Sequence, residues 1–328
     1  AGLPVSIPAV VAVYDVALPC VLLFAGAWLL ARRPAAFPPA AVPRSHPAVR
    51  SARWPAALAA LVAGAVVWVA LDRVGPAWAR WLSGPGAALG AGLLVHYDPV
   101  RRVRKRVRAV ESGLADALAF VGQRLQRGES LERAVAAAGD ELSGPVAEVF
   151  GDAARVQRRL RVDVRESFVG ERGALADVPS PRARAGAALL DLAASEGGEG
   201  GRVLVEMADY VDDLAAVERD ARQDLAAITG TLRSTAFCFG PLVGGVTVAL
   251  GTRLGSVGLE RTPDPLPAAA LGVAVGAYVV LLAAFLAALA AALDRGLDRA
   301  LVGFHVGAAV LAASVCYPLA VVAGGTLL

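Results

Sequence analysis

Hydrophobic positions are grouped in blocks. Long apolar runs lie toward both ends of the chain, and most of the charge falls between about residues 97 and 232. The runs predict about six membrane spans, at about 7–31, 55–71, 78–96, 233–252, 267–293 and 300–324, each close to the ~20 residues that cross a bilayer core. The third carries Arg80, Pro85 and several glycines and is the least apolar. Between the blocks the pattern changes to helical periodicity without strand-like alternation. It predicts helices over about 109–127, 131–142, 145–160, 164–175 and 181–195, and a sixth from near 200 that is open to continuing into the fourth span. Gly128 closes the first, Ser130 caps the second, Pro145 sits in the first turn of the third, Asp163 caps the fourth, and Ser180 with Pro181 starts the fifth. The expected fold is an all-α, polytopic membrane protein in three parts. A membrane region (1–96) precedes a helical bundle (97–232), and a second membrane region (233–328) follows.

On the sixth helix, Val203, Met207, Tyr210, Leu214, Val217, Ala221, Leu225 and Ile228 recur at steps of three and four, a narrow seam of the coiled-coil type. The seam is expected to pack on the fifth helix inside the bundle; the sharper alternative is a subunit partner. Glu218 and Arg222 form a favourable i,i+4 pair.

Composition agrees with a membrane protein: 56% of residues are hydrophobic and mean hydropathy is +0.57. Charge sets the expected direction of insertion. Residues 32–54 carry Arg32, Arg33, Arg44, Arg50 and Arg53 without an acid, and residues 101–108, RRVRKRVR, carry six basic side chains. By the positive-inside tendency both segments face the cytoplasm, which puts 97–232 inside and both termini outside. Arg32 and Arg33 follow the first span, as a stop-transfer signal does and a cleaved leader does not. The cluster Arg101, Arg102, Arg104, Lys105, Arg106 and Arg108 directly follows a span and has no interleaved aromatics, so it reads as a membrane-surface patch for anionic lipid rather than a nucleic-acid site.

Candidate chemistry is sparse. Cys20, Cys238 and Cys316 lie in separate apolar stretches, and His46, His96 and His305 are scattered, so neither a disulfide framework nor a metal site is expected. His305 and Cys316 are about three helical turns apart and do not pair. Asp15 is an ionisable residue near the outer end of the first span and would be the key group of a transporter or permease, the competing reading. The glycine-rich stretch SEGGEGG, 195–201, fails as a phosphate grip. No lysine is near, the preceding segment is helical, and Glu196 and Glu199 put negative charge where a phosphate would sit. It is expected to be a tight turn. Gly197 and Gly198 would end one helix in the left-handed conformation, and Gly200 and Gly201 would let the chain reverse. Bulky residues at Gly197 and Gly198 are expected to disrupt it.

Two stretches carry a family resemblance. FVGQRLQRGESLERAVAAAG, 120–139, has Gly128, Leu131 and Ala134 in a G-x-x-L-x-x-A turn, and LLDLAASEGGEGGRVLVEMADYVDD, 189–213, sets a glycine turn before a long helix that leads to a span. Their order and spacing over about 100–255 resemble the type II secretion system F domain of the inner-membrane platform proteins of type IV pili, archaella, Tad pili and type II secretion. The resemblance implies a plasma-membrane platform with no catalysis, cofactor or metal of its own. Its partners would be a hexameric secretion ATPase and pilin-like subunits. One copy of the domain is found, where many platform proteins have two, which implies a homo- or hetero-oligomer.

Overall fold

The structure is a computed structural model that describes residues 53–196, 198–256, 268–295 and 298–327, with isolated positions at 17, 21, 24–26 and 28. The first predicted span, Asp15 and Cys20 lie outside the described residues apart from those positions. The regular elements are all helices: α1 (Arg53–Val74), α2 (Ala79–Ser112), α3 (Leu114–Gln126), α4 (Leu131–Glu141), α5 (Pro145–Leu160), α6 (Val164–Val169), α7 (Pro181–Glu196), α8 (Gly198–Ser234), a π-helical turn (Thr235–Phe239), α9 (Gly240–Ser256), α10 (Ala268–Arg295) and α11 (Arg299–Leu327). No strand is present among the described residues. Among the described residues, four helices are long and apolar enough to cross a membrane: Trp54–Val74, the run Gly198–Arg253, Ala268–Asp294 and Arg299–Leu327. An all-α, multi-pass membrane protein is the fold class that follows.

The chain divides into two compact units, one formed by Arg102–Asp224 and the other by the described residues on either side of it. The core of the first is built from Val110, Leu118, Val121, Val135, Phe150 and Leu190, with Leu204 from α8. Phe150 and Phe168 meet edge to face at 5.1 Å between centroids. Glycines decide where its helices stop or touch. A single helix over 109–127 was expected, but the chain breaks at Gly113. A Cβ there would sit 2.7 Å from Val146 Cγ1, so the close approach of α5 selects glycine, and the helix restarts at Leu114. Gly139 lies against Gly151, where a Cβ would be 2.6 Å from the Gly151 Cα, so α4 and α5 cross almost backbone to backbone.

Asp163 Oδ1 accepts the Glu166 N–H at 2.6 Å and caps α6. That helix stops at Val169 rather than near residue 175: the Gly173 backbone turns back so tightly that a Cβ would lie 2.6 Å from Phe168 O. Ser180 is fully buried; its Oγ accepts the Ala183 N–H at 3.0 Å and donates to Glu111 at 2.6 Å. Ser130 precedes α4 without a side-chain cap, and its carbonyl accepts the Ala134 N–H at 3.0 Å. Asp163→Ala removes a cap that is satisfied, and should lower stability by about 1 kcal/mol. Ser130→Ala removes none and should be close to neutral. Hydrogen exchange at the Glu166 and Phe168 amides reads the difference.

In the other unit α9, α10 and α11 pack around Tyr317, which is 1% exposed and donates its hydroxyl to the Gly272 carbonyl at 2.6 Å. Small residues set the helix spacing. A Cβ at Gly90 of α2 would lie 2.6 Å from the Leu311 amide nitrogen, and one at Gly307 would lie 2.9 Å from the Gly90 carbonyl oxygen. Close contact through small residues is how helices associate in lipid, where burial of apolar surface gives no drive. Trp54, Leu61, Val62 and Val66 on α1 stay exposed, as lipid-facing side chains do. The predicted third span (78–96) is helical, and Ala79, Ser83, Ala87 and Ala91 of that stretch are buried. Its helix α2 runs on through Pro99 to Ser112, so the basic run that follows is helical as well.

Candidate interaction face of the helical unit

The α3–α4 turn is held by one arginine. Gly128 takes the left-handed conformation (φ 86°), and the Glu129 N–H reaches back to Arg124 O at 3.1 Å. Arg124 pairs with Glu129 at 2.9 Å and with Glu141 at 2.6 Å, and lies 4.8 Å from the Phe120 ring centroid. The Glu129 hydrogen bond holds the Arg124 pKa above the ordinary arginine value. Leu131 and Ala134, the other two motif positions, are buried in the core. The motif therefore supplies one backbone device and two packing residues.

The second glycine stretch does something different from the tight reversal expected of it. Gly197 lies outside the described residues. Gly198, Gly200 and Gly201 form the opening of α8 and none has a positive φ. Gly198 has open space where a Cβ would go. Gly200 is pressed on Ala193 of α7, whose Cα would be 2.7 Å from a Cβ. Gly201 is pressed on α3, with Gly122 O at 2.6 Å and Gln126 N at 2.9 Å from a Cβ. The contact is reciprocal, because a Cβ on Gly122 would meet Gly201 O at 2.7 Å. Gly200 and Gly201 are thus packing glycines that let one helix lie against two backbones. The Cβ side of Gly200 is filled by α7 and that of Gly201 by α3. Among the described glycines of the stretch, Gly198 is the one with room for a Cβ, so at that position the packing itself does not demand glycine.

The seam is also placed differently. The face of α8 turned into the core consists of Gly201, Leu204 and Ala208. The seam lies beside it and faces outward: Val203 is 49% exposed, Tyr210 65% and Val217 65%. Met207 and Leu214 between them are half-buried, so the fold covers the seam only in part and leaves its outer edge open. The expected Glu218–Arg222 pair is present at 3.5 Å, and Glu218 also takes Arg182 of α7 at 2.6 Å.

The basic cluster is spread round the helix. Arg101 stacks over Phe304 at 4.3 Å from the ring centroid, and Arg106 pairs with Glu148 at 3.3 Å. Val107, next to Arg106, is 3% exposed and belongs to the core. Burial, and after it repulsion from Arg108, pulls the Arg104 pKa below the arginine value. Arg102 and Lys105 are exposed. The predicted patch is thus divided: some of its cations are structural and others face solvent. Sequence reasoning missed Asp294 and Asp298. Asp294 pairs with Arg233 at 2.9 Å, and the buried Asp298 caps α11 through the Ala300 N–H at 3.0 Å. The i,i+2 spacing of Asp298 before a helix start was the available signal. Compared with known proteins, the chain matches no family model, no curated protein and no solved structure.

Proposed function

We propose that this chain is a plasma-membrane platform protein of a type IV pilus-like or type II secretion-like assembly machine. In this reading it couples a cytoplasmic hexameric secretion ATPase to the insertion of pilin-like subunits into a filament. One observation supports it most: the helical run Gly198–Arg253 is 56 residues long and contains both the seam-bearing face and a stretch apolar enough to span a membrane. A helix that starts wedged between α3 and α7 and continues in sequence as a span is a lever suited to passing motion from a cytoplasmic domain to the bilayer. The π-helical turn Thr235–Phe239 interrupts the regular hydrogen bonding of that lever just beyond the charged part. The full topology has about six spans, residues 97–232 in the cytoplasm and both termini outside. The chain needs no nucleotide site of its own, since the ATPase supplies the chemistry. Exposed Arg102 and Lys105 sit at the lipid surface, and a second subunit completes the platform.

Deleting the gene in its host tests this reading. Surface filaments or secreted pilin-like subunits should disappear while those subunits accumulate uncollected in the membrane, and the wild-type gene should restore them. Filaments that persist at normal number would end it.

A further inference from the structure

Helix α8 carries a second feature beside its outward seam. At about 100° per residue, Asp209, Asp213, Asp220 and Asp224 fall within roughly 60° of one another. This stripe lies roughly 90° round the helix from the seam, on the side away from the buried Gly201, Leu204 and Ala208. All four aspartates are exposed, and none makes an ion pair among the described residues. Other acids of the same helix are engaged: Asp212 pairs with Arg219 at 3.5 Å, Glu206 with Arg202 at 3.9 Å and Glu218 with Arg182 at 2.6 Å. From 203 to 224 the helix has seven carboxylates and two arginines. An apolar strip of exposed Val203, Tyr210 and Val217 with half-buried Met207 and Leu214 is thus flanked, from residue 209 onward, by aspartates without an ion pair among the described residues.

We propose that this face docks a basic amphipathic helix of a partner protein, its apolar side on the seam and its Lys or Arg side on the aspartate stripe. Charge selects that occupant over the alternatives. A second copy of α8 would bring Asp213 beside Glu218 in parallel register, or Asp213 and Asp220 beside the other copy's acids in antiparallel register, and both repel. An anionic lipid surface is repelled by the same stripe. A helix with basic flanks meets apolar with apolar and opposite charge with opposite charge, the helix-in-groove mode of recognition. The inference holds whether or not the chain serves an assembly machine.

The test uses the full chain in nanodiscs of zwitterionic lipid, with the signal of empty discs subtracted. The probe is a synthetic helix of about 21 residues, three heptads with Leu at the seam positions and Lys at the flanks; its control has Glu in place of every Lys. The Lys peptide should bind at least roughly tenfold more tightly than the Glu peptide, and raising NaCl from about 50 to about 500 mM should weaken it severalfold. Val217→Asp should lower affinity for the Lys peptide by roughly tenfold or more. Asp213→Lys with Asp220→Lys should reverse the preference between the two peptides. These positions are exposed, so the variants should melt with the wild type, which separates lost docking from lost fold. Equal binding of the two peptides, or an unreversed preference in the double variant, overturns the proposal. So does a dimer of the chain that Val217→Asp abolishes, because the face would then belong to a second copy.

Discussion

Gly201→Leu is expected to destabilise the helical unit by about 3 kcal/mol, at the upper end of what overpacking costs. The first carbon of the new side chain would sit 2.6 Å from Gly122 O, 2.9 Å from Gln126 N and 3.0 Å from Leu125 Cβ. Two of those atoms are backbone in the C-terminal turns of α3, so no rotamer change relieves the contact. Helix α8 would have to lift off, exposing Leu204 and Ala208, which are 1% and 2% exposed in the native packing. Hydrogen exchange on the full chain in detergent should show α3 and the first turns of α8 losing protection together. Gly198→Ala, three residues earlier, should be neutral or should stabilise by about 0.5–1 kcal/mol, because its Cβ meets open space and alanine favours a helix. If both variants behaved alike, the stretch would be a turn and the packing account would be wrong.

Gly90→Leu should have a comparable effect in the other unit. Its Cβ would lie 2.6 Å from the Leu311 nitrogen and 2.9 Å from the Leu311 Cα, again against backbone. Small residues at that crossing let α2 and α11 touch, and in lipid such contacts carry the association because burial of apolar surface does not. Thermal unfolding in detergent should show a large loss of stability or of folded yield, of about 3 kcal/mol where a transition is measurable. Gly325→Ala, with open space round it, is the matched control and should melt with the wild type.

These glycines also show which features were legible in the chain. The apolar blocks at 55–71, 267–293 and 300–324 read out directly as long helices, because a run of some twenty apolar residues has few other uses. Proline and capping residues placed the starts of α5, α6 and α7 for the same local reasons that operate in the structure. Gly128 could be read because a helix end needs a left-handed residue and glycine supplies it. Gly113, Gly122, Gly200 and Gly201 could not be read as they are used. Their role is to admit a neighbouring backbone, and which backbone approaches is a tertiary fact that local spacing does not hold. The seam shows the same limit. Its three–four periodicity was plain, but periodicity marks a stripe without saying whether the fold or a partner covers it. The buried stripe turned out to be the one with Gly201 and Ala208, whose small side chains weigh little in a hydrophobic pattern. The aspartate stripe needed the exposures and ion pairs of its neighbours before it separated from an ordinary solvated face.

The platform reading rests on coupling to a secretion ATPase, and direct association tests it. The full chain in detergent or nanodiscs should bind the purified hexameric ATPase encoded in the same genome, and binding should be lost when the helical unit is unfolded by Gly201→Leu and kept in Gly198→Ala. Absence of association, with both proteins shown to be folded and the ATPase hexameric, would contradict it.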